Sequence, residues 1–195
     1  MSKFISRRLE RLVPYTPGEQ PQDKKYIKLN TNESPFPPSD KAVSRAGEAL
    51  TRLMLYPDPE CTALNEKFAG VIGVEKDEVM AVNGSDEILN FAFSAFCGGE
   101  KTAVFPDITY GFYEVFADYN GVVYKKIPLG ADFKINISDY LNANATVFIA
   151  NPNAPTGIAL TLGEIEEIVK NNPENVVVID EAYIDFGGES VVSLI

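Results

Sequence analysis

Four short segments of this sequence contain residues that could bind a ligand. The first, residues 83–87 (NGSDE), places Gly84, Ser85 and Asp86 ahead of an apolar run at 88–96. A glycine lets the backbone approach an anion closely, and the free amides at a helix start favour phosphate. The segment therefore predicts a phosphate site. The alternative is an ordinary junction between a strand and a helix, in which Ser85 or Asp86 is the N-cap.

The second and third segments contain an aromatic ring and an amide. Residues 106–113 (PDITYGFY) include Tyr110, whose ring could stack on a flat cofactor or simply pack against the protein. Residues 151–157 (NPNAPTG) hold too many turn formers to continue a strand or a helix, so they predict a rigid loop. In this loop Asn153 could donate a hydrogen bond to a ligand oxygen, although a tight connection without a ligand also fits these residues.

The fourth segment, residues 180–183 (DEAY), directly follows the apolar run 176–179. A carboxylate at the end of a buried strand is costly unless a cation or a hydrogen-bond donor meets it. Asp180 therefore predicts a partner, which could be a protonated pyridine nitrogen, a magnesium ion or a structural ion pair. Nucleoside triphosphatases that bind magnesium through such a carboxylate also have a glycine-rich phosphate loop ending in Gly-Lys-Ser or Gly-Lys-Thr. The sequence lacks this loop, which argues against a magnesium ion as the partner of Asp180.

Alternating helix and strand patterns position these segments. Short β-rich runs occur at 79–82, 102–105, 122–127, 146–150 and 176–179. Helical patterns occur at about 39–55, 61–72, 85–97, 109–119 and 161–171, the last opened by a capping box from Thr161 to Glu164. The alternation predicts an α/β fold with a mostly parallel sheet and flanking helices. Because ligands collect outside the carboxyl ends of such strands, we expect the four segments at that end of one sheet.

The composition excludes several kinds of function. A formal net charge of −11 argues against binding nucleic acid or an anionic membrane. The sequence has no histidine, which removes histidine-based triads and histidine-containing metal sites. Its first twelve residues lack the continuous apolar stretch that is typical of a signal peptide, and no apolar run of about 18 residues occurs. Cys61 and Cys97 give no disulfide framework. We therefore expect a cytoplasmic protein without a membrane or nucleic-acid partner and without a metal.

Three sequence motifs resemble a known family. Residues 29–35 (LNTNESP), 56–58 (YPD) and, most specifically, 180–186 (DEAYIDF) are similar to those of the fold type I, aspartate aminotransferase-like pyridoxal-phosphate enzymes. Within that family the resemblance is to the histidinol-phosphate aminotransferases, from about Tyr15 to Ile195. It implies that the chain is an incomplete large domain of such an enzyme.

The resemblance also implies a domain division and a phosphate site. Residues 1–38, rich in proline, would form an extended N-terminal arm, and 39–195 would form part of the domain that binds pyridoxal 5′-phosphate. The amides of Ser85 and Asp86, next to Gly84, would hold the cofactor phosphate.

Other matching residues would contact the cofactor ring and the substrate. Tyr110 would stack on the ring, Asp180 would pair with the ring nitrogen, and Tyr183 would donate a hydrogen bond to the phenolic oxygen. Tyr56 would reach the phosphate in the neighbouring subunit, which implies a homodimer, and Asn32 would lie near the substrate.

Two departures from the family pattern matter. The family has asparagine directly before Pro-Thr-Gly, where this sequence has Ala154; Asn153, one position earlier, is the remaining candidate. In the family a lysine after the Asp-Glu-Ala-Tyr strand forms the covalent link to the cofactor. All twelve lysines here precede Asp180, the last being Lys170. We therefore expect no catalytic residue in this chain, an inactive fragment, and an unfinished sheet with an exposed edge.

The resemblance implies amino-group exchange between a phosphorylated amine, histidinol phosphate, and a 2-oxo acid such as 2-oxoglutarate, in histidine biosynthesis. Two alternatives within the same fold are an aromatic aminotransferase and a threonine-phosphate decarboxylase. A third, from a different class, is a truncated binding protein without catalytic activity.

Overall fold

The computed structural model describes residues 3–6, 9–10, 12–13, 16, 18–19, 21, 23 and 26–195. The chain divides into two compact units, one formed by 13–62 and the other by 63–195 with the first twelve residues. Part of the predicted arm, including Tyr15, lies outside the described residues. Residues 39–62 group with residues 13–38 of the arm, and the domain division after residue 38 stays a prediction.

Among its described residues, the unit formed by residues 13–62 contains one helix, α1, from Asp40 to Leu50. Its N-cap is Ser39, whose side chain accepts a hydrogen bond from the amide of Ala42. The helix was expected to continue to residue 55, but it ends at Leu50. Residues 51–55 form turns with bonds between residues three apart, such as Leu53 N to Leu50 O at 3.3 Å.

The larger unit contains four helices and a four-stranded parallel sheet among its described residues. The helices are α2 (Thr62–Ile72), α3 (Ser85–Phe96), α4 (Phe112–Asn120) and α5 (Leu162–Lys170). The strands are β1 (Ala103–Pro106), β2 (Tyr124–Ile127), β3 (Thr146–Ala150) and β4 (Val177–Asp180), in the order β2-β1-β3-β4. Short 3-10 turns lie at Lys76–Glu78, Ile137–Tyr140, Ile184–Phe186 and Val191–Leu194. All strand pairs are parallel, which confirms the predicted fold class.

Side chains of the central strand β3 alternate between two apolar cores. Phe148 and Ala150 pack in the core on one face of the sheet, with buried residues of α3 and α4. Val147 and Ile149 pack in the core on the other face, with buried residues of α5. All five residues of β3 are buried. The alternation of side chains along a strand therefore accounts for a sheet covered on both faces.

The predicted strand at residues 79–82 is wrong. No ladder hydrogen bonds join these residues to another strand among the described residues. The amide of Ala81 instead donates to the side-chain oxygen of Asn65 at 3.1 Å. A strand exists only through backbone pairing with a neighbour, so a β-rich sequence is not sufficient by itself.

Strand β4 lies at an edge of the described sheet and pairs only with β3. Its four residues are half-buried, whereas those of β1 and β3 are buried. The apolar run at 176–179 predicted a strand covered on both faces, and the structure shows incomplete cover. An exposed sheet edge was expected from the family resemblance, and the structure contains one. Among the described helices, none has the length and apolar character needed to cross a membrane.

Helix α5 begins with the predicted capping box. The side chain of Thr161 accepts from the amide of Glu164, and the carboxylate of Glu164 accepts from the amide of Thr161 at 2.8 Å. These hydrogen bonds from Thr161 hold the pKa of the Glu164 carboxyl below its usual value. The helix follows the loop at 151–157, so the box fixes where that loop ends.

We predict that Tyr140→Phe stabilises the protein. Tyr140 is buried in the core beside α5, and its hydroxyl has no hydrogen-bond partner among the described residues. Burial, together with the charges of Asp139 and Asp107, raises the pKa of this phenol. Removing the hydroxyl should raise the free energy of unfolding by about 1 kcal/mol at neutral pH in urea titrations.

The same variant should respond less to alkaline pH. A phenol with a raised pKa in the folded state contributes stability that is complete below its unfolded pKa of about 10 and is lost as the pH rises above that value. The free energy of unfolding of Tyr140→Phe should therefore fall less steeply than that of the wild type above pH 10. An equal or steeper fall would contradict the burial of a neutral phenol at this position.

Candidate functional site

A cavity of about 70 Å³ lies at the carboxyl end of the sheet. Its lining residues are Ser85, Tyr110, Ala150, Pro152, Ala154, Asp180, Ala182 and Tyr183. Four of the residues predicted for the site, Ser85, Tyr110, Asp180 and Tyr183, are thus brought together from three of the four segments. Pockets that enclose a small-molecule ligand usually measure roughly 300–1,000 Å³, so this cavity is smaller than a complete ligand pocket.

Asp180, the last residue of β4, is held in place by two hydrogen bonds. One carboxylate oxygen accepts from the hydroxyl of Tyr113 at 2.9 Å, and the other accepts from the amide of Ala182 at 3.1 Å. Each carboxylate oxygen has two lone pairs, so both can accept a further hydrogen bond. The carboxylate is therefore oriented while it keeps the capacity to bind a cationic N–H group.

Tyr113 is a site residue that the sequence reasoning missed. It lies in the first turn of α4, and its fully buried ring contacts Phe105 and Phe148. Burial, followed by the charge of Asp180 and the hydrogen bond to it, raises the pKa of this phenol, so it remains a neutral donor. The sequence offered one signal for this residue: Tyr113 lies three residues after Tyr110 in the predicted helical pattern at 109–119. Residues one helical turn apart lie on the same side of a helix.

We predict that Tyr113→Phe destabilises the protein, in contrast to Tyr140→Phe. The substitution keeps the ring and removes only the donor to the Asp180 carboxylate. A hydrogen bond to a charged group contributes about 1.5 kcal/mol or more, so the free energy of unfolding in urea should fall by that amount. Tyr140→Phe is the matched control because it removes a buried hydroxyl that has no partner. Equal effects of the two substitutions would rule out this role for Tyr113.

The ring of Tyr110 is also fixed by its neighbours. Its hydroxyl donates to a carboxylate oxygen of Asp86 at 2.7 Å. The ring stacks on Phe112, with centroids 5.7 Å apart, and meets the edge of Tyr113 at the same distance. Burial, then the hydrogen bond and charge of Asp86, raises the pKa of this phenol. The Asp86 carboxylate therefore accepts a hydrogen bond from Tyr110.

The start of helix α3 presents backbone amides beside Ser85. Gly84 is the N-cap, with φ 76° and ψ 175°, a left-handed φ that favours glycine. Having no side chain, Gly84 cannot cap the amides of the first turn. The amide of Asn83 donates to the carboxylate of Glu87 at 2.8 Å, which closes the turn ahead of the helix. The geometry is suited to an anion, because the helix dipole adds partial positive charge at this end.

Asn153, although predicted for the site, is not among the residues that line this cavity. Its carboxamide bonds to Thr109, Ile108 and Thr156, and the cavity wall contains Pro152 and Ala154 instead. The peptide bonds 151–152 and 154–155 are both cis. The assignment of Asn153 as a cofactor ligand stays a prediction, and its geometry gives no support for it.

Asn32 and Tyr56 belong to the unit formed by residues 13–62. Asn32 has a positive φ of 53°, and the side chain of Tyr56 is fully exposed. Their proposed contacts with the substrate and with a neighbouring subunit stay predictions. Within the described part of the chain, no group of three or more Cys, Asp or Glu residues could hold a metal ion.

Together, the parallel sheet and the residues at its carboxyl end define an α/β protein of the aspartate aminotransferase-like type, a fold shared by solved structures. The model for the family "Aminotransferase class I and II" matches residues 24–194. The chain belongs to this family of aminotransferases.

Individual relatives agree with this membership. The histidinol-phosphate aminotransferase of Marinomonas sp. (strain MWYL1) is 52% identical over 197 residues, which cover 100% of this chain and 56% of the relative. The crystal structure of histidinol-phosphate aminotransferase from Clostridium acetobutylicum matches with a TM-score of 0.70 and 26% identity, covering 80% of this chain and 48% of that chain.

A further structure, of the histidinol-phosphate aminotransferase from Sinorhizobium meliloti in complex with pyridoxal-5′-phosphate, matches with a TM-score of 0.73 at 24% identity. That match covers 80% of this chain and 44% of the other. The chain spans about half the length of the curated relatives it matches.

Proposed function

We propose that this chain forms part of a pyridoxal-phosphate-dependent aminotransferase that exchanges an amino group between histidinol phosphate and 2-oxoglutarate in histidine biosynthesis. The observation that carries the proposal is the oriented carboxylate of Asp180, which faces the same cavity as Tyr110, Tyr183 and Ser85. The names of the similar proteins support the substrate, and family membership supports the reaction.

The residues of the cavity fit pyridoxal phosphate. The Asp180 carboxylate has free lone pairs for a protonated ring nitrogen, and the amides at the start of α3 suit a phosphate. The methyl group of Ala154 offers no hydrogen bond, so Tyr183 is the candidate donor to the phenolic oxygen. When bound, pyridoxal phosphate supplies an electron sink that stabilises negative charge on a substrate carbon.

Each residue of the site would have a defined task. Asp180 would hold a proton on the ring nitrogen, because an ionised carboxylate favours the protonated form of a neighbouring base. Tyr113 would keep that carboxylate oriented. The ring of Tyr110 would cover one face of the cofactor ring and exclude water from it. Ser85 would contribute its backbone amide to the phosphate site.

We also propose that the complete enzyme binds the cofactor covalently and that it forms a homodimer. The lysine that forms the link would lie outside this chain, so the chain by itself would bind the cofactor without a covalent bond and would not catalyse transfer. Tyr56 would contact the phosphate across a homodimer, and Asn32 would lie near the substrate. The partners would be small molecules and a second copy of the protein.

Equilibrium dialysis of the chain against pyridoxal phosphate tests the cofactor assignment. We expect saturable binding of one cofactor per chain, weakened about 10-fold or more by Asp180→Asn, which removes a charged hydrogen-bond acceptor. Asp185→Asn, which neutralises an exposed carboxylate of the same motif, is the matched control and should bind like the wild type. Absence of saturable binding, or equal weakening by both variants, would contradict the assignment.

The substrate requires a complete enzyme that contains this chain. The ratio of kcat/KM for histidinol phosphate to kcat/KM for phenylalanine separates the proposed activity from that of an aromatic aminotransferase. We expect the ratio to exceed one. Release of carbon dioxide from threonine phosphate would indicate the decarboxylase instead.

A further inference from the structure

The side chain of Asn153 links two segments that are far apart in the sequence. It is 2% exposed. Its side-chain oxygen accepts from the hydroxyl of Thr109 at 2.8 Å, and its side-chain nitrogen donates to the carbonyl of Ile108 at 3.0 Å. The nitrogen also donates to the hydroxyl of Thr156 at 3.4 Å, within its own loop. The loop at 151–157 is therefore bound directly to the segment between β1 and α4.

These contacts leave the carboxamide without a donor for another molecule. A carboxamide nitrogen carries two hydrogens, and both are directed at protein oxygens here. A residue that binds the phenolic oxygen of a cofactor has to donate a hydrogen bond. Asn153 therefore lacks the property that its predicted role requires, although it lies beside the position where the family has its asparagine.

The segment that Asn153 holds carries residues of the site. Thr109 immediately precedes Tyr110, and Tyr113 follows one turn later. The amide of Tyr113 donates to the carbonyl of Tyr110 at 3.2 Å, which connects the two residues. A displacement of the backbone at Thr109 would thus move the ring of Tyr110.

We propose that Asn153 is a positioning residue of the cofactor site: through Thr109 and Ile108 it fixes the backbone that orients the ring of Tyr110 over the cavity. The proposal rests on the proposed function, because the ring is assigned to cover pyridoxal phosphate. In the expected role the carboxamide of Asn153 would bond to the cofactor, whereas here it bonds to Thr109 and Ile108.

A double-mutant cycle with Thr109→Val and Asn153→Ala tests the proposal. Valine keeps the volume of threonine and removes the donor to Asn153, so this variant remains informative if Asn153→Ala does not fold. Binding of pyridoxal phosphate is measured by quenching of tyrosine fluorescence, which is practical because the sequence contains no tryptophan. Each single variant should bind about 5-fold more weakly, and the double variant no more weakly than the weaker single variant.

Two further variants separate positioning from general stability. Thr109→Ser keeps the hydroxyl and should restore wild-type affinity. Thr146→Val removes a different threonine hydroxyl, which donates to the carbonyl of Phe96 at 2.9 Å. It should lower the unfolding midpoint as much as Thr109→Val does and leave both the affinity and the induced visible circular dichroism of bound pyridoxal phosphate unchanged. Thr109→Val should alter that dichroism, since it reports ring orientation.

The proposal is overturned if neither Asn153→Ala nor Thr109→Val weakens binding, or if their effects add, because substitutions that remove one shared hydrogen bond are not additive. Hydrogen exchange without cofactor supplies an independent measurement. Both variants should exchange amides 107–113 faster by about 5-fold or more, and unchanged exchange there also overturns the proposal. If the wild type binds no pyridoxal phosphate, the proposed function fails, and faster exchange would then show a role in the fold alone.

Discussion

Replacing Asp180 by alanine should lower kcat for amino transfer by about 100- to 1,000-fold in a complete aminotransferase that contains this chain. Among the described residues that line the cavity, Asp180 has the one acidic side chain, and its carboxylate is oriented by Tyr113 and by the amide of Ala182. An ionised carboxylate at this position would keep a proton on the ring nitrogen of the cofactor, and losing it would cost several kcal/mol of transition-state stabilisation. The result is measured in steady-state assays with histidinol phosphate and 2-oxoglutarate.

Two variants show whether the charge of Asp180 is responsible. Asp180→Asn keeps the size of the side chain and its ability to accept from Tyr113, so a loss similar to that of Asp180→Ala would identify the charge as the important property. Asp185→Asn should retain nearly full activity, since that carboxylate is exposed and does not line the cavity. Near wild-type turnover of Asp180→Ala would exclude the proposed role.

Replacing Phe148 by alanine should lower the free energy of unfolding by about 3–5 kcal/mol. Phe148 is fully buried in β3, and its ring stacks on that of Phe93 from α3 with centroids 4.0 Å apart and an interplanar angle of 4°. The change removes apolar contact area and leaves a cavity between the sheet and the helices. Because whole domains have stabilities of only about 5–15 kcal/mol, a large share of the stability is lost.

Urea unfolding of the chain, followed by far-ultraviolet circular dichroism, measures this loss. Phe186→Ala is the matched control, since it removes the same atoms from a side chain that is 83% exposed. We expect it to change the free energy of unfolding by less than about 0.5 kcal/mol. If Phe148→Ala and Phe186→Ala were equally stable, the stacked pair would not be part of the core.

Secondary structure was predictable where a local pattern determines it. Helix α5 begins at the expected capping box because Thr161 and Glu164 satisfy each other's backbone amides within one turn. Strands β1 to β4 lie within one or two residues of the predicted apolar runs. The run at 79–82 failed because its amides have no neighbouring strand, and no local pattern reports that.

The site was predictable to the extent that its residues follow strands. Parallel strands bring their carboxyl ends to one side of a sheet, so the placement of Asp180 at the end of β4 and of Tyr110 after β1 was sufficient to predict a shared cavity. The family resemblance added the identity of the ligand and of the residues in the other unit, whose roles stay predictions.

The sequence alone determined that an α/β sheet carries a glycine-led helix start, an aromatic ring and a carboxylate at one end, because these features depend on neighbours within a few residues. Only the tertiary structure decided which side chains form hydrogen bonds with the residues of the site. The hydrogen bonds of Asp86 with Tyr110, Asn153 with Thr109 and Tyr113 with Asp180 join residues 24, 44 and 67 positions apart. Such partners are chosen by the packing of separate elements, which local sequence does not encode.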